Sequence, residues 1–354
     1  MSSTHQRLRR LAAVFVGIVF LVSGLLKLMD PVGTMLIVTE YAKFFHLHFL
    51  IGAAKVLGIL LSLLEASLGI ALITGVLRKF TAICTTVMMA FFTIVTLFLW
   101  FANPAMDCGC FGEAIHLTHL QSLVKNIILL ALSVFALTPF RDFGDPPVRK
   151  RIAATLAFLS LLAAVLYSHR HLPLMDFTAF DWGCELFASL DEDAEITPAD
   201  MKRYPILSFR DAEGTYLDSL AAEGKAVVLS VYDPEKAPWE RLHQQYQEVW
   251  GTGARPLLLV ASYPEEMDRF GIPADMEVLY ADYKTLITLN RSNGGGSFFN
   301  NGELVNKWSS SDFPQDLAAD VADDPVRLST HYIVRRRIKV QGFGVYMAAL
   351  LILL

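Results

Sequence analysis

Cys108 and Cys110 stand one residue apart in the stretch Asp107-Cys108-Gly109-Cys110-Phe111-Gly112. Thiols this close can bond to each other, exchange with the thiols of another protein, or share a metal. A bond between them closes a very small ring, and a strained disulfide is more easily reduced. That favours redox exchange. Cys184, in Asp181-Trp182-Gly183-Cys184, could then serve as a resolving or relay thiol. Two plainer readings stand beside it. The pair can be free thiols in a turn, or one member can be stapled to Cys184. Alternatively, Cys108, Cys110, His116 and His119 offer thiolate and imidazole ligands suited to zinc or copper, although their spacing matches no standard zinc module. Cys84 lies in an apolar run and reads as a small hydrophobe.

Glu65 falls near the middle of another apolar run. An ionisable group there is costly and is a functional candidate for proton handling. The structural alternative is a protonated carboxyl bonded to a neighbour such as Thr93 or Asn126. Lys27 and Lys55 lie closer to the ends of their runs and are expected to snorkel. No Ser-His-Asp order, paired-carboxylate motif or phosphate loop stands out. Asn293-Gly294-Gly295-Gly296 lacks the lysine of a phosphate loop and reads as a flexible approach to a hairpin.

The elements that must position these residues are mostly apolar helices. A span needs about 20 apolar residues. Spans are expected near Leu11–Leu28, Ile51–Leu77, Thr81–Phe101, Leu120–Leu137 and Ile152–Tyr167. A sixth, Val340–Leu354, rises only about 22 Å, so either the chain stops early or this helix is partly inserted. The first run is expected to be retained, because no small-residue cleavage pattern follows it. Pro31 should end the first helix, and Thr39–Leu50 should be an aromatic loop at the interface. The basic residues Arg7, Arg9, Arg10, Arg78, Lys79, Arg141, Arg149, Lys150 and Arg151 mark the cytoplasmic ends and loops. The Cys-Gly-Cys loop and the long segment after Tyr167 then face outward. Arg335, Arg336, Arg337 and Lys339 run against this pattern, but a long exported domain weakens the charge rule locally. A mildly negative net charge of −5 argues against nucleic-acid binding.

Residues 1–140 thus form a four-span unit with short connections, as in an antiparallel bundle. Residues 141–170 form a linker and a fifth span, residues 171–335 a soluble α/β domain, and residues 336–354 the last span. Within 171–335, Ala226–Val231, Pro256–Ala261 and Val278–Ala281 carry buried-strand signals. Helices are expected at Trp239–Trp250, Glu265–Phe270, Lys284–Asn290 and Pro314–Val321. Asn300-Asn301-Gly302 is a hairpin signal between Ser297–Phe299 and Glu303–Trp308. This order is similar to the thioredoxin fold. The turn that carries Cys-x-x-Cys in thioredoxins reads Tyr232 to Trp239 here and holds no cysteine. Gly294-Gly295-Gly296 stands where thioredoxins place a cis-proline.

Ser23-Gly24-Leu25-Leu26-Lys27-Leu28-Met29-Asp30-Pro31, with Glu65 and Leu68-Gly69, resembles the DoxX family. Asp107 to Gly112 resembles the related methylamine-utilisation MauE family. The resemblance covers roughly residues 8–140, and the whole chain is similar to fused DoxX-type proteins that append an exported domain and a last span. It implies an inner-membrane four-helix bundle, a link to maturation of a disulfide-rich periplasmic enzyme subunit, and a link to quinone-coupled sulfur chemistry. The combined expectation is a membrane α-helical protein: a DoxX/MauE-like bundle plus two further spans, with a thioredoxin-like domain in the periplasm. Its expected work is thiol–disulfide exchange or maturation of an exported client. The resemblance implies a membrane quinone as electron carrier, and membrane lipids and the client are the partners. The rival is a non-catalytic assembly scaffold with structural cysteines and a docking domain.

Overall fold

The computed structural model describes residues 3–137, 146–173, 175–190, 204–314, 316–322 and 325–354. Residues 141–145 of the expected linker, Arg141 included, lie outside them, as do residues 191–203. The chain divides into two units. One holds residues 1–169, 173–175 and 343–354, and the other residues 170–172 and 176–342.

In the first unit, α1 (Ser3–Met29), α3 (Ala54–Thr74), α4 (Arg78–Ala102), α5 (His119–Leu137) and α6 (Val148–Arg170) are the long helices. Among the described residues, five helices are long and apolar enough to cross a membrane. Gln341–Leu353, in the expected last span, is helical and apolar but shorter than these five, in keeping with the short rise read from the sequence. Phe15, Leu60, Phe91, Ile94 and Ile128 point large apolar side chains outward. Such a surface suits lipid, because helices satisfy their own backbone groups and need no water there.

The first helix ends before Pro31, as expected, but no loop follows it. Asp30 accepts the Gly33 amide at 2.9 Å and caps a new helix, α2 (Pro31–Phe44). Proline suits a first turn, where its missing N–H has no partner to lose. The expected aromatic loop is therefore helical through Phe44, followed by a 3₁₀ segment at His48–Ala53.

Helices α1 and α3 meet along small residues. A Cβ at Gly24 would lie 2.6 Å from the Ala66 nitrogen and 2.7 Å from the Ser62 carbonyl oxygen. Only glycine permits that approach, the close packing that small residues give membrane helices. The contact brings the end of α1 against the middle of α3.

The second unit is built on a mixed sheet of strands β2 (Lys225–Val231), β3 (Arg255–Val260), β4 (Val278–Tyr280), β5 (Gly295–Asn300) and β6 (Glu303–Trp308). The order is β4-β3-β2-β5-β6. β3 is parallel to β2 and β4, while β5 is antiparallel to β2 and β6. Central β2 is buried from Ala226 to Val231 and mostly apolar, because both faces are covered. Val227, Leu229 and Val231 pack with Leu242 and Val249 of α8 (Trp239–Gly251), α7 being the short Ser219–Ala222. Ala226 and Val228 pack with Phe209 and with Leu286 of α9 (Tyr283–Leu289). Asn301 and Gly302 both have positive φ, as a two-residue hairpin turn requires. Gly295 and Gly296 are strand residues inside β5, so the expected flexible approach is corrected. The remaining helices are α10 (Leu317–Ala322) and α11 (Pro325–Leu353).

Candidate active site

The Cys-Gly-Cys turn joins α4 to α5 and ends in β1 (Cys110–Glu113). Gly109 adopts φ +62°, and a Cβ there would run into the Ile37 side chain. A residue other than glycine meets strain in that backbone region. The turn brings the two sulfurs to 3.1 Å. Two hydroxyls clamp it. Tyr41 of α2 donates to the Cys108 carbonyl at 2.7 Å, and Ser23 of α1 donates to the Cys110 carbonyl at 2.6 Å.

The two cysteines are not equivalent. Cys108 is buried, and Cys110 is partly exposed. The hydrogen bond with Cys108 is the main cause that lowers the Cys110 thiol to about 5. Burial opposes this, while Lys125 and Lys27 add to it. Cys108 is pushed up by the same hydrogen bond, by burial and by the charge of Cys110. Lys125 is held over the Phe111 ring with its nitrogen 4.7 Å from the centroid. The arrangement therefore favours ionisation of Cys110 over that of Cys108, an asymmetry that suits dithiol exchange.

Glu65 meets neither Thr93 nor Asn126. Its Oε2 accepts from Lys27 Nζ at 2.6 Å, and Lys27 is only 8% and Glu65 only 5% exposed. The expected snorkelling of Lys27 is corrected: the approach of α1 to α3 gives the ammonium a buried partner. Lys27 also donates to Ser23 at 3.3 Å. A chain of hydrogen bonds therefore runs from Glu65 through Lys27 and Ser23 to the Cys110 carbonyl. Ser23 and Lys27 are four residues apart on α1 and share one face. Spacing within one helix could have paired these two, but the sequence carried no signal for the contact between helices. Asn126 instead donates to the Phe92 carbonyl and to Thr96.

These groups wall a cavity of about 390 Å³ inside the first unit. Val19, Ile37, Leu61, Phe92, Val95 and Leu129 supply apolar lining, and Lys27, Glu65, Cys108 and Cys110 supply the reactive edge. That volume lies within the range of small-molecule sites, which pair apolar walls with a few placed polar groups.

The metal alternative does not assemble. Among the described residues no group of three or more His, Cys, Asp or Glu side chains could hold a metal ion. His116 bonds Asp107 at 3.0 Å, and His119 bonds the Pro104 carbonyl at 3.1 Å. Cys84 packs partly buried against the helical core, as a small hydrophobe does.

Cys184 belongs to the second unit. It lies along β6, where its carbonyl accepts from Leu304 at 2.9 Å. Burial pushes its thiol up to about 12, against the pull of Lys307. The loop Tyr232–Pro238, which follows β2, is pinned by Asn293. Asn293 accepts the Asp233 amide at 3.0 Å and donates to the Asp233 carbonyl at 2.8 Å.

No curated protein and no solved structure matches this chain. The N-terminal unit is similar to the MauE family, since residues 6–139 match the family model described as methylamine utilisation protein MauE. That match and the five apolar helices make the chain a multi-pass membrane protein in contact with lipid.

Proposed function

We propose that this protein is a thiol–disulfide oxidant for an exported client, working in the maturation role that the MauE likeness suggests. The observation that carries it is the pair of sulfurs 3.1 Å apart in the wall of a cavity within the membrane unit. Cys110, the less buried of the two residues and the more readily ionised, is the attacked sulfur in this reading. A client thiolate attacks the Cys108–Cys110 disulfide at Cys110, and the electron pair of the broken bond leaves on Cys108, which takes a proton. A second client thiolate then attacks the client sulfur and releases Cys110 as thiolate. The client loses two electrons and becomes a disulfide, while the cysteine pair gains them. Oxidation is favoured over reduction because a stabilised thiolate stabilises the reduced pair, which raises its reduction potential.

The acceptor that reoxidises the pair is a membrane quinone. The cavity fits one: it has apolar walls, a volume suited to a ring, and Lys27 as a donor at its polar edge. A bound quinone supplies acceptance of two electrons and two protons. Glu65 and Lys27 hold and orient the polar edge, and the apolar lining keeps water from it.

The loop of Asp107 to His119 and residues 171–335 face the periplasm in this reading, with the protein in the inner membrane. The second unit is a thioredoxin-like docking domain without its own dithiol, and Cys184 serves at most as a slow relay. The test is to trap mixed disulfides in membranes with Cys108→Ala and Cys110→Ala variants. The Cys108→Ala chain should accumulate a client adduct and the Cys110→Ala chain should not. A native pair that never changes oxidation state would leave the scaffold reading in its place.

A further inference from the structure

We propose that Lys27, beside Cys108 and Lys125, helps to hold Cys110 ready as a thiolate, and that Glu65 sets how much of the Lys27 charge the cysteine receives. The inference rests on the exchange reading above, and it gives Lys27 and Glu65 a second role there, beyond holding the polar edge of the cavity. The support is geometric. Lys27 is buried, Glu65 grips its ammonium at 2.6 Å, and Ser23 takes a second bond at 3.3 Å. The same Ser23 hydroxyl binds the Cys110 carbonyl at 2.6 Å. The ammonium is therefore fixed at one place in the wall that also carries the sulfur. In a water-poor wall a fixed charge acts far more strongly than in solvent.

The groups facing Cys110 can be named element by element. Cys108 shares its turn. α1 contributes Lys27 and Ser23, and α5 contributes Lys125. α2 contributes Tyr41, with Glu40 beside it. α3 contributes Glu65 through Lys27, while Phe92 and Thr96 of α4 are not titratable. Lys27 is the cation among these with a carboxylate partner. Its field at the sulfur is consequently a difference, ammonium minus carboxylate. When the thiol ionises its proton leaves to solvent, and the thiolate that remains competes with Glu65 for the ammonium. Removing either partner must then shift the cysteine, and in opposite directions.

The test is the pH dependence of Cys110 alkylation by iodoacetamide in the reduced full-length protein, read by mass spectrometry. Lys27→Met should raise the pH midpoint by about one unit, an alkylation rate about tenfold lower at pH 4.5. Glu65→Gln should lower the midpoint and speed alkylation about threefold at the same pH, because the ammonium then acts uncompensated. The double variant Lys27→Met/Glu65→Leu replaces the pair with apolar side chains, keeps the packing, and should also raise the midpoint. A midpoint unmoved in the double variant, or moved in the same direction by both single variants, overturns the proposal. The measurement uses neither client nor acceptor. A pair that never cycles in membranes defeats the exchange reading, whereas a fixed midpoint defeats only this inference.

Discussion

The buried pair of Lys27 and Glu65 should dominate the response of the helical unit to mutation. The two charges sit 2.6 Å apart with side chains only 9% and 6% exposed. Removing one partner of such a pair typically costs about 3–5 kcal/mol, because the other charge is left buried and uncompensated. Neutralising an ordinary carboxylate at pH 7 costs about 4 kcal/mol, which caps the penalty in the lysine variant. Lys27→Met and Glu65→Leu should therefore each destabilise by about 3–4 kcal/mol. The double variant should recover most of that, because apolar side chains of similar volume replace a pair whose attraction barely exceeds its desolvation cost. The assay is a double-mutant cycle on reversible unfolding of the full chain in mixed micelles, followed by helical circular dichroism. A coupling energy of about 2 kcal/mol or more is expected for residues in such contact. Losses below about 1 kcal/mol in both single variants, or simple additivity in the double, would refute the reasoning, since exposed ion pairs behave that way.

Gly109→Ala should destabilise the turn by about 1–3 kcal/mol, because alanine resists positive φ and its methyl meets Ile37; the loss should appear as slower disulfide formation between Cys108 and Cys110. In the reduced protein, raising the pH through about 5 should switch on Cys110 alkylation. Cys184, pushed up to about 12, should stay nearly unreactive at neutral pH, and equal labelling of the two would contradict the assignment. The full-length chain with Cys108→Ser and Cys110→Ser keeps Cys184 and the whole second unit, so measurable oxidation or reduction of a simple disulfide substrate by it would show that the exchange chemistry lies elsewhere.

What the sequence disclosed follows from what its physics makes local. Long apolar runs announce their own helices, so five of the expected spans have their counterparts in the structure. The hairpin at Asn301-Gly302 was legible because positive φ at consecutive residues is a local demand. The apolar strands β2 and β3 were equally plain, being buried on both faces. The shortness of the last apolar helix was legible too, because rise per residue is fixed by helix geometry. The stop at Pro31 was legible, since α1 ends at Met29, but the helix that follows at once was not, because it depends on the Asp30 side chain that caps it. Lys27 was misread for a different reason. Position along a helix predicts how far a lysine is from the membrane edge, but not what the next helix brings to it. That depended on Gly24, Ser62 and Ala66, three small residues on two helices 38 or more positions apart.

The same contact explains why the cysteine pair and the ion pair belong to one device. α1 supplies Ser23 and Lys27 from adjacent turns, the first to the Cys110 carbonyl and the second to Glu65. α2 supplies Tyr41 to the Cys108 carbonyl. Each clamp is a single hydrogen bond, worth about 1 kcal/mol net, which is small beside the strain that a closed Cys108–Cys110 ring would carry. The turn is thus held firmly enough to keep two sulfurs in reach of each other, yet not so firmly as to force the bond between them. A pair meant only as a staple gains from deep burial of both sulfurs and from a wide loop, since cross-linking a longer loop removes more chain entropy. Here the loop is minimal, one of the two residues is not fully buried, and a fixed ammonium stands by to stabilise its thiolate. Those choices weaken a staple and favour a bond that opens and closes.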